Sequence, residues 1–476
     1  MTERPNIVIF LPETVRADAI YEAPGAGAHT PNFDRLRSEG VTFTQAWAQM
    51  AYCTPSRCSM FTGRYPHTHG HRSIWHLLQP GERNLFQDLK EGGYRNVVFG
   101  KNDLIDETFA GECFDEWHLR IAPDRGTVRY EDSPTAERLN SAMYLGRREG
   151  ECHDADWARI QSALDFLDED HEQPWCLFLP LSFAHPWYAV EEPFFSMHDR
   201  DALPTPIPPV SGDPTRAYRS LYRDFAFPNG LGEADLREIK GAYYGMVSRM
   251  DAQFGQILDR LSERGLEDDT IVLALSDHGD YAGDYGMVEK CPYGFEECLL
   301  RVPLIFRVPG VEPREVDGLC EMNDLYATIM DLVGLEPKHH QFGRSLMPAM
   351  GGEADALRDA VFAEGGRLPG VEQWGIEGLA PDNWYAKRRD VVNQNPEVNL
   401  SRCAMVRTSD FAYTYCANDA DELFDLRDDS DATMNVAENA LYDEVRSELR
   451  DRLLSWMLDT SDTLPLQQGS RHWPAG

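Results

Sequence analysis

Residues 53–70 read CTPSRCSMFTGRYPHTHG. Pro55 fixes a turn ahead of a helix that we predict over residues 56–61. The N-terminus of such a helix presents free N–H groups to an anion, and Arg57 lies one turn into it, where its planar guanidinium can bind the same group. A lone cysteine would be interpreted as a small buried hydrophobe. The whole string instead predicts that Cys53 lies at an anion-binding helix terminus.

The same string resembles the sulfatase signature, C-[ST]-P-S-R-x-x-x-x-T-G-R, and matches it at every fixed position. The resemblance implies that Cys53 is oxidised after translation to formylglycine (3-oxoalanine) by a formylglycine-generating enzyme. The hydrated aldehyde would then attack a sulfate ester and form a covalent intermediate, which splits one difficult step into two.

Two continuous apolar runs indicate strands buried on both faces of a parallel sheet: NIVIFL at 6–11 and TIVLAL at 270–275. Ligands of such sheets bind at the carboxyl ends of the strands. Glu13 follows the first run, and Asp277 and His278 follow the second. The predicted fold class is therefore α/β, with a large, mostly parallel central sheet flanked by helices. The resemblance implies the alkaline phosphatase/sulfatase-like version of this fold.

The metal ligands follow from the resemblance. PNIVIFLPETVRAD is similar to the sulfatase opening, with Glu13 at the position of the first metal aspartate and Thr14 at the second acidic or amide position. Asp277 and His278 match the second pair of ligands, and the diol of Cys53 completes the set. Hard oxygen ligands favour calcium as the one divalent cation, with magnesium or manganese as alternatives.

The resemblance also implies a sulfate pocket. Arg57 belongs to the signature, Lys101 of GYRNVVFGKND matches the sulfate-binding lysine, and His185 ends a strand predicted over residues 174–183. Lys290 matches a second basic residue of this pocket. Asp103 stands where the family usually has histidine, and an acid there disfavours an anion unless it ligates metal, pairs with a cation or is protonated. The alternative is that it binds a cationic or hydroxyl-rich part of the substrate. Two further residues, Trp75 and His76, are predicted to line the pocket together with Thr14.

The remaining chain predicts a second, smaller unit. We place an N-terminal catalytic domain at residues 1–360 and a C-terminal α+β subdomain at 361–476, which contains a short antiparallel sheet with a strand over residues 404–416 and a helix near 440–458. Residues 187–235 and 364–402 are predicted to be irregular binding loops. Residues 41–48 and 300–308 are each predicted to form one extended segment.

Composition excludes several classes of partner. The 476 residues carry 45 Lys and Arg against 80 Asp and Glu, a net charge of −35, which repels nucleic acid and anionic membranes. No basic n-region with an apolar core begins the sequence, so we expect a cytoplasmic protein. The ten cysteines form no CxxC pair and are expected to be reduced. The sequence leaves the oligomeric state open, and a homodimer is the commonest default.

The predicted function is hydrolysis of a small-molecule or saccharide sulfate ester. An alternative in the same superfamily is the hydrolysis of phosphonate monoesters or phosphodiesters, which uses the same modified cysteine. A third alternative is a non-catalytic binding protein, for which Glu13, Thr14 and Asp103 would argue because they depart from the sulfatase pattern.

Overall fold

The computed structural model describes residues 4–22, 25–118, 129–150, 153–212, 214–227, 230, 232–354, 357–367 and 401–464. The strands are β1 (Asn6–Leu11), β2 (Val41–Phe43), β3 (Ala46–Trp47), β4 (Arg95–Phe99), β5 (Glu116–His118), β6 (Tyr144–Arg148), β7 (Trp175–Pro180), β8 (Tyr188–Glu191), β9 (Thr270–Leu275), β10 (Arg301–Val302), β11 (Leu304–Arg307), β12 (Arg314–Val316), β13 (Cys320–Glu321), β14 (Val361–Gly365), β15 (Cys403–Arg407), β16 (Phe411–Cys416) and β17 (Glu422–Asp425).

The α-helices of the described residues are α1 (Ala17–Tyr21), α2 (Pro31–Glu39), α3 (Cys53–Thr62), α4 (Pro66–His69), α5 (Leu85–Glu91), α6 (Ala110–Cys113), α7 (Pro134–Leu139), α8 (Ala155–Asp168), α9 (Ala217–Ala226), α10 (Glu233–Glu263), α11 (Glu297–Leu300), α12 (Asp324–Leu332), α13 (Met347–Met350) and α14 (Asp443–Thr460). None of them is both long and apolar enough to span a bilayer.

The main sheet has eight strands in the order β12-β2-β11-β9-β1-β7-β4-β5. β1 pairs in parallel with β7 and β9, and β4 pairs in parallel with β7 and β5. Alternate side chains of β1 enter two separate cores, with Ile7 and Ile9 in one and Val8 and Phe10 in the other. Burial on both faces explains the continuous apolar run and confirms the predicted α/β class.

Two predicted extended segments were wrong in detail. Residues 41–48 form two strands, β2 and β3, because a turn at Thr44 and Gln45 interrupts the ladder. Residues 300–308 also form two strands, β10 and β11, because Pro303 has no N–H to donate. β11 runs antiparallel to both of its neighbours, β9 and β2, so the sheet is mixed.

The C-terminal sheet is antiparallel, in the order β14-β15-β16-β17, and α14 packs on it through Leu449, Leu453 and Trp456. The single strand predicted over 404–416 is in fact a hairpin. Thr408 Oγ1 accepts hydrogen bonds from the backbone N–H groups of Asp410 and Phe411, which closes the turn. Residues 187–235, predicted to be irregular, contain β8 and α9, and residues 368–400 of the second predicted loop lie outside the described residues.

Candidate active site

Four parallel strands carry the site. Glu13 follows β1, Lys101 follows β4, His185 follows β7, and the Asp277–His278 pair follows β9. Because these strands are neighbours with the same direction, their carboxyl ends share one edge of the sheet. The structure thus brings together at that edge side chains that are up to 265 positions apart in the sequence.

Cys53 is the first residue of α3, so its side chain lies where the helix presents free N–H groups. Its Sγ is 2.7 Å from Glu13 Oε1 and 3.3 Å from His278 Nε2. Burial raises the pKa of the Cys53 thiol well above its usual value, and Glu13 raises it further. The thiol is therefore protonated and donates to Glu13. Its sulfur marks the position that an oxygen of the converted residue would take.

The side chains of Glu13, Cys53, Asp277 and His278 are buried, and one ligand atom from each lies within 4.8 Å of all the others. His278 Nδ1 faces the Gly279 carbonyl at 2.9 Å, which turns Nε2 towards Cys53. Burial lowers the pKa of His278, so the imidazole is neutral and able to ligate. Two carboxylates, one imidazole and one sulfur atom are a ligand set that a divalent cation accepts.

Two cationic side chains hold these acids. Arg57 donates from Nε to Asp277 Oδ2 at 2.9 Å, and Lys101 Nζ donates to both oxygens of Glu13 at 2.8 and 3.0 Å. Burial by itself would raise the pKa of Glu13, but Lys101, His185 and Arg57 hold it well below the usual value. Glu13 is thus a carboxylate in the folded protein even though it is fully buried.

His185 and Lys290 form a contact between Nε2 and Nζ. His185 Nδ1 lies 2.5 Å from the Pro186 carbonyl, to which it donates, so Nε2 accepts from the Lys290 ammonium. Burial and the charge of Lys290 lower the pKa of His185 to about 4. At neutral pH the pair is therefore a neutral imidazole bonded to an ammonium group.

The three departures from the sulfatase pattern have defined surroundings. Asp103 lies 2.8 Å from Lys101 Nζ and 3.8 Å from Arg57. The Thr14 hydroxyl donates to the Glu13 carbonyl, and its backbone N–H donates to Asp277 Oδ1 at 3.2 Å. Glu13 itself reaches the metal-capable cluster. Thr14 therefore contributes its backbone, at a φ of 59°, while its hydroxyl is engaged elsewhere.

Trp75 and His76 are not brought into the cluster. The side chain of Trp75 is 55% exposed, and His76 Nδ1 faces the Gly70 carbonyl at 3.1 Å. Their loop is joined to α3 by Thr54, whose hydroxyl donates to the Ile74 carbonyl. Substrate contact by either residue stays a prediction.

Sequence reasoning missed the residues that support the site. Ser56 Oγ donates to the Asp277 carbonyl at 2.6 Å, which its place inside the signature could have suggested. Tyr188 OH donates to Asp280 Oδ1 at 2.5 Å and accepts from the Glu289 N–H at 2.8 Å. Glu289 precedes Lys290 and has a φ of 63°. No local pattern in the sequence links these three residues.

Comparison with known proteins agrees with this geometry. A family model described as Sulfatase matches residues 5–335. A choline-sulfatase of Rhizobium meliloti is 23% identical, over 99% of this chain and 91% of its own length. The multifunctional alkaline phosphatase superfamily protein PehA of Trinickia caryophylli is 25% identical over 96% of both chains. The crystal structure of a phosphonate monoester hydrolase of Agrobacterium radiobacter shares the fold, with a TM-score of 0.74 and 24% identity over 96% of both chains.

Proposed function

The chain belongs to the sulfatase family of sulfuric ester hydrolases, within the alkaline phosphatase-like superfamily, and from this membership we propose that it cleaves a sulfate ester through a formylglycine diol made from Cys53. The observation that carries the proposal is the position of Cys53. Its reacting atom lies at the terminus of α3, 2.7 Å from a carboxylate of a metal-capable cluster and beside a pocket of cations.

Glu13, Asp277 and His278, together with the converted Cys53, would hold one divalent cation. We propose calcium, with magnesium or manganese as alternatives, because oxygen atoms dominate the ligand set. When bound, the cation supplies Lewis acidity that favours the deprotonated form of a neighbouring hydroxyl. Lys101 and Arg57 keep the two carboxylates charged and oriented for this role.

In the first step, one oxygen of the diol bonds to the sulfur of the ester, and the bond from sulfur to the leaving oxygen breaks. The cationic side chains of Lys101 and Lys290 stabilise the sulfate oxygens as charge moves onto them. The leaving oxygen takes a proton from the Lys290–His185 pair. His185 Nε2 already holds a hydrogen bond to that ammonium, so the pair can share the charge after transfer.

In the second step, the other hydroxyl of the diol gives its proton to the Lys290–His185 pair, which restores the proton that this pair lost to the leaving oxygen. The carbonyl of the aldehyde re-forms as the bond from carbon to the sulfate oxygen breaks, and inorganic sulfate leaves. Water then restores the diol. The chain thus needs no external nucleophile at the sulfur in either step, as expected for covalent catalysis.

Hydrolysis of phosphonate monoesters is the second candidate. It is supported by the likeness to PehA and by the shared fold of the phosphonate monoester hydrolase. Sulfate and phosphonate monoesters are tetrahedral groups of equal charge, so a pocket of fixed cations discriminates between them only weakly.

The test compares initial rates on an aryl sulfate and an aryl phosphonate monoester for the wild type, Cys53→Ala and Cys58→Ala, with calcium or manganese. Cys58 is a matched control because it is buried on the same helix outside the cluster. We expect Cys53→Ala to lose turnover and Cys58→Ala to keep it. A faster rate on the phosphonate would favour the second candidate. Activity in Cys53→Ala would refute both, provided that the peptide mass shows converted Cys53 in the wild type.

A further inference from the structure

Asp103 is an acid inside a pocket that is built for an anion. Its carboxylate lies 2.8 Å from Lys101 Nζ and 3.8 Å from Arg57 Nη1. The side chain of Asp103 is 16% exposed, whereas those of Glu13 and Asp277 are fully buried. Asp103 is therefore less buried than these two carboxylates, and it lies directly beside the cations Lys101 and Arg57.

Asp103 also stands outside the metal-capable cluster, which consists of Glu13, Cys53, Asp277 and His278. The negative charge of that cluster is balanced by Lys101 and Arg57, and a bound cation would balance it further. Asp103 draws on the same Lys101 and Arg57, so its charge lowers the positive potential that these two side chains offer to a ligand. A ligand with two negative charges feels this loss twice as strongly as a ligand with one, because Coulomb energy is proportional to charge.

We propose that Asp103 is a specificity-determining residue that favours singly charged tetrahedral esters over doubly charged phosphate monoesters. This inference rests on the proposed function, since it concerns the same pocket. Sulfate and phosphonate monoesters carry one negative charge. A phosphate monoester carries nearly two above its second pKa of about 6. Because the three groups have similar size and shape, charge is the property by which the pocket can separate them.

The proportionality gives a quantitative expectation for Asp103→Asn, which removes the charge with little change in shape. If binding of the singly charged ester tightens by about threefold, binding of the doubly charged ester should tighten by about ninefold, because the free-energy change doubles. The singly charged phosphonate monoester should follow the sulfate. Each gain should shrink as ionic strength rises.

Dissociation constants are measured at pH 8 by calorimetry on the full chain with calcium and with Cys53 left as a thiol. The ligands are phenyl sulfate, phenyl phosphate and a phosphonate monophenyl ester. Asp103→Glu should keep the wild-type order because it keeps the charge. Asp268→Asn is the matched control, since Asp268 is an exposed acid before β9, at the opposite edge of the sheet.

An equal effect of Asp103→Asn on the binding of all three ligands would overturn the proposal. Loss of binding to all three ligands would also overturn it, because Asp103 would then only order Lys101. The same effect in Asp268→Asn would also overturn it. The ratio of kcat/KM for phenyl phosphate and phenyl sulfate on converted enzyme should rise in Asp103→Asn. If converted enzyme cleaves no sulfate but the binding constants follow ligand charge, the proposed function fails and the role of Asp103 stands.

A second inference comes from Cys403 and Cys416, which face each other across β15 and β16. The Ala417 N–H donates to the Arg402 carbonyl, so residues 402 and 417 are a hydrogen-bonded pair. Because hydrogen-bonded and non-hydrogen-bonded pairs alternate along an antiparallel ladder, the neighbouring pair of Cys403 and Cys416 is non-hydrogen-bonded. Such pairs have Cα atoms about 4.5 Å apart, inside the range of disulfides. The two sulfur atoms are 2.6 Å apart.

We infer that Cys403 and Cys416 form a thiol–disulfide pair, with Cys403 as the reacting thiolate. The buried guanidinium of Arg216 donates to Cys403 Sγ at 3.2 Å, and the Cys416 thiol donates to the same sulfur. These contacts outweigh burial and lower the pKa of Cys403 to about 7. Hydrogen peroxide would oxidise Cys403 to a sulfenic acid and release water. Cys416 then bonds to that sulfur, and the hydroxyl leaves as a second water.

The test is peptide mapping of the folded, full chain after mild peroxide treatment and alkylation. We expect a cross-linked peptide that joins residues 403 and 416 and is cleaved by dithiothreitol. In Cys416→Ser we expect a sulfenic acid at Cys403 that dimedone traps, and buried Cys176 serves as the internal control that stays unmodified. Alkylation of both Cys403 and Cys416 after peroxide, or equal oxidation of Cys176, would contradict the inference.

Discussion

Replacing Tyr188 by Phe tests how the protein holds Lys290 in place. Tyr188 lies in β8 and is fully buried. Its hydroxyl donates to Asp280 at 2.5 Å and accepts from the Glu289 N–H at 2.8 Å. Glu289 has a left-handed φ of 63°, which a residue other than glycine adopts only when its surroundings impose it. The hydroxyl thus fixes the residue that leads into Lys290.

The expected loss follows from the two hydrogen bonds. Without the hydroxyl, the buried Glu289 N–H loses this acceptor, at a cost of about 1–3 kcal/mol, and Asp280 loses a charge-assisted bond of similar worth. We therefore expect the free energy of unfolding to fall by roughly 3 kcal/mol. Glu289 can then relax from its left-handed conformation and carry Lys290 away from the leaving oxygen. A loss of about 1.4–2.8 kcal/mol of transition-state stabilisation corresponds to a tenfold to hundredfold fall in kcat/KM.

The matched control is Tyr144→Phe. Tyr144 is the register partner of Tyr188 in β6, is equally buried, and donates to Glu238, which belongs to α10 and not to the site. Both variants should unfold at lower urea concentration, but only Tyr188→Phe should lose kcat/KM on an aryl sulfate. An unchanged kcat/KM in Tyr188→Phe, or an equal fall in Tyr144→Phe, would refute the positioning role.

Three further predictions concern the metal, the backbone and acid stability. Chelation should abolish turnover and lower the melting temperature, and calcium should restore both, because a ligand that binds only the folded state stabilises it. Gly279→Ala should reduce activity and stability together, because a Cβ at this position would lie 2.0 Å from the Cys298 carbonyl oxygen and would displace His278. A urea titration and a rate assay on the same variant measure the two losses. Burial by itself would raise the pKa of Asp154, but the charge of Arg249 lowers it to about 2. Its stabilising effect is therefore present above about pH 4 and is lost as the pH falls towards 2, so the difference in unfolding free energy between wild type and Asp154→Asn, about 2 kcal/mol at pH 6, should shrink over that window.

The site was more predictable than the connections around it. Glu13, Lys101, His185 and the Asp277–His278 pair could be placed from the sequence because each follows an apolar strand, and parallel strands deliver their ends to one edge. The signature supplied Cys53 without any knowledge of its neighbours. These are local signals, and the fold only had to bring them together.

The failures arose where local pattern and long-range pairing compete. Residues 404–416 alternate as one strand would, but the hydrogen bonds of Thr408 favour a turn over continued pairing. Residues 300–308 are apolar as a parallel strand would be, yet β11 is antiparallel to β9. The contact of Tyr188 with Asp280 spans 92 positions and has no counterpart in composition or spacing.

An acidic protein can still have an anion-binding site, because the net negative charge and the cations of the pocket act on an anion over different distances. The net charge of −35 repels anions at long range, but salt screens exposed charges beyond about 8–10 Å. Inside the pocket, Arg57 and Lys290 are nearly or fully buried, where screening is weak. Their attraction acts on a group that is already inside the pocket, and Asp103, which lies beside Lys101 and Arg57, is placed to decide how much charge the group can carry. Selectivity for singly charged esters would then depend on one acidic side chain, which opposes the cations that the sulfatase signature and the strand ends supply.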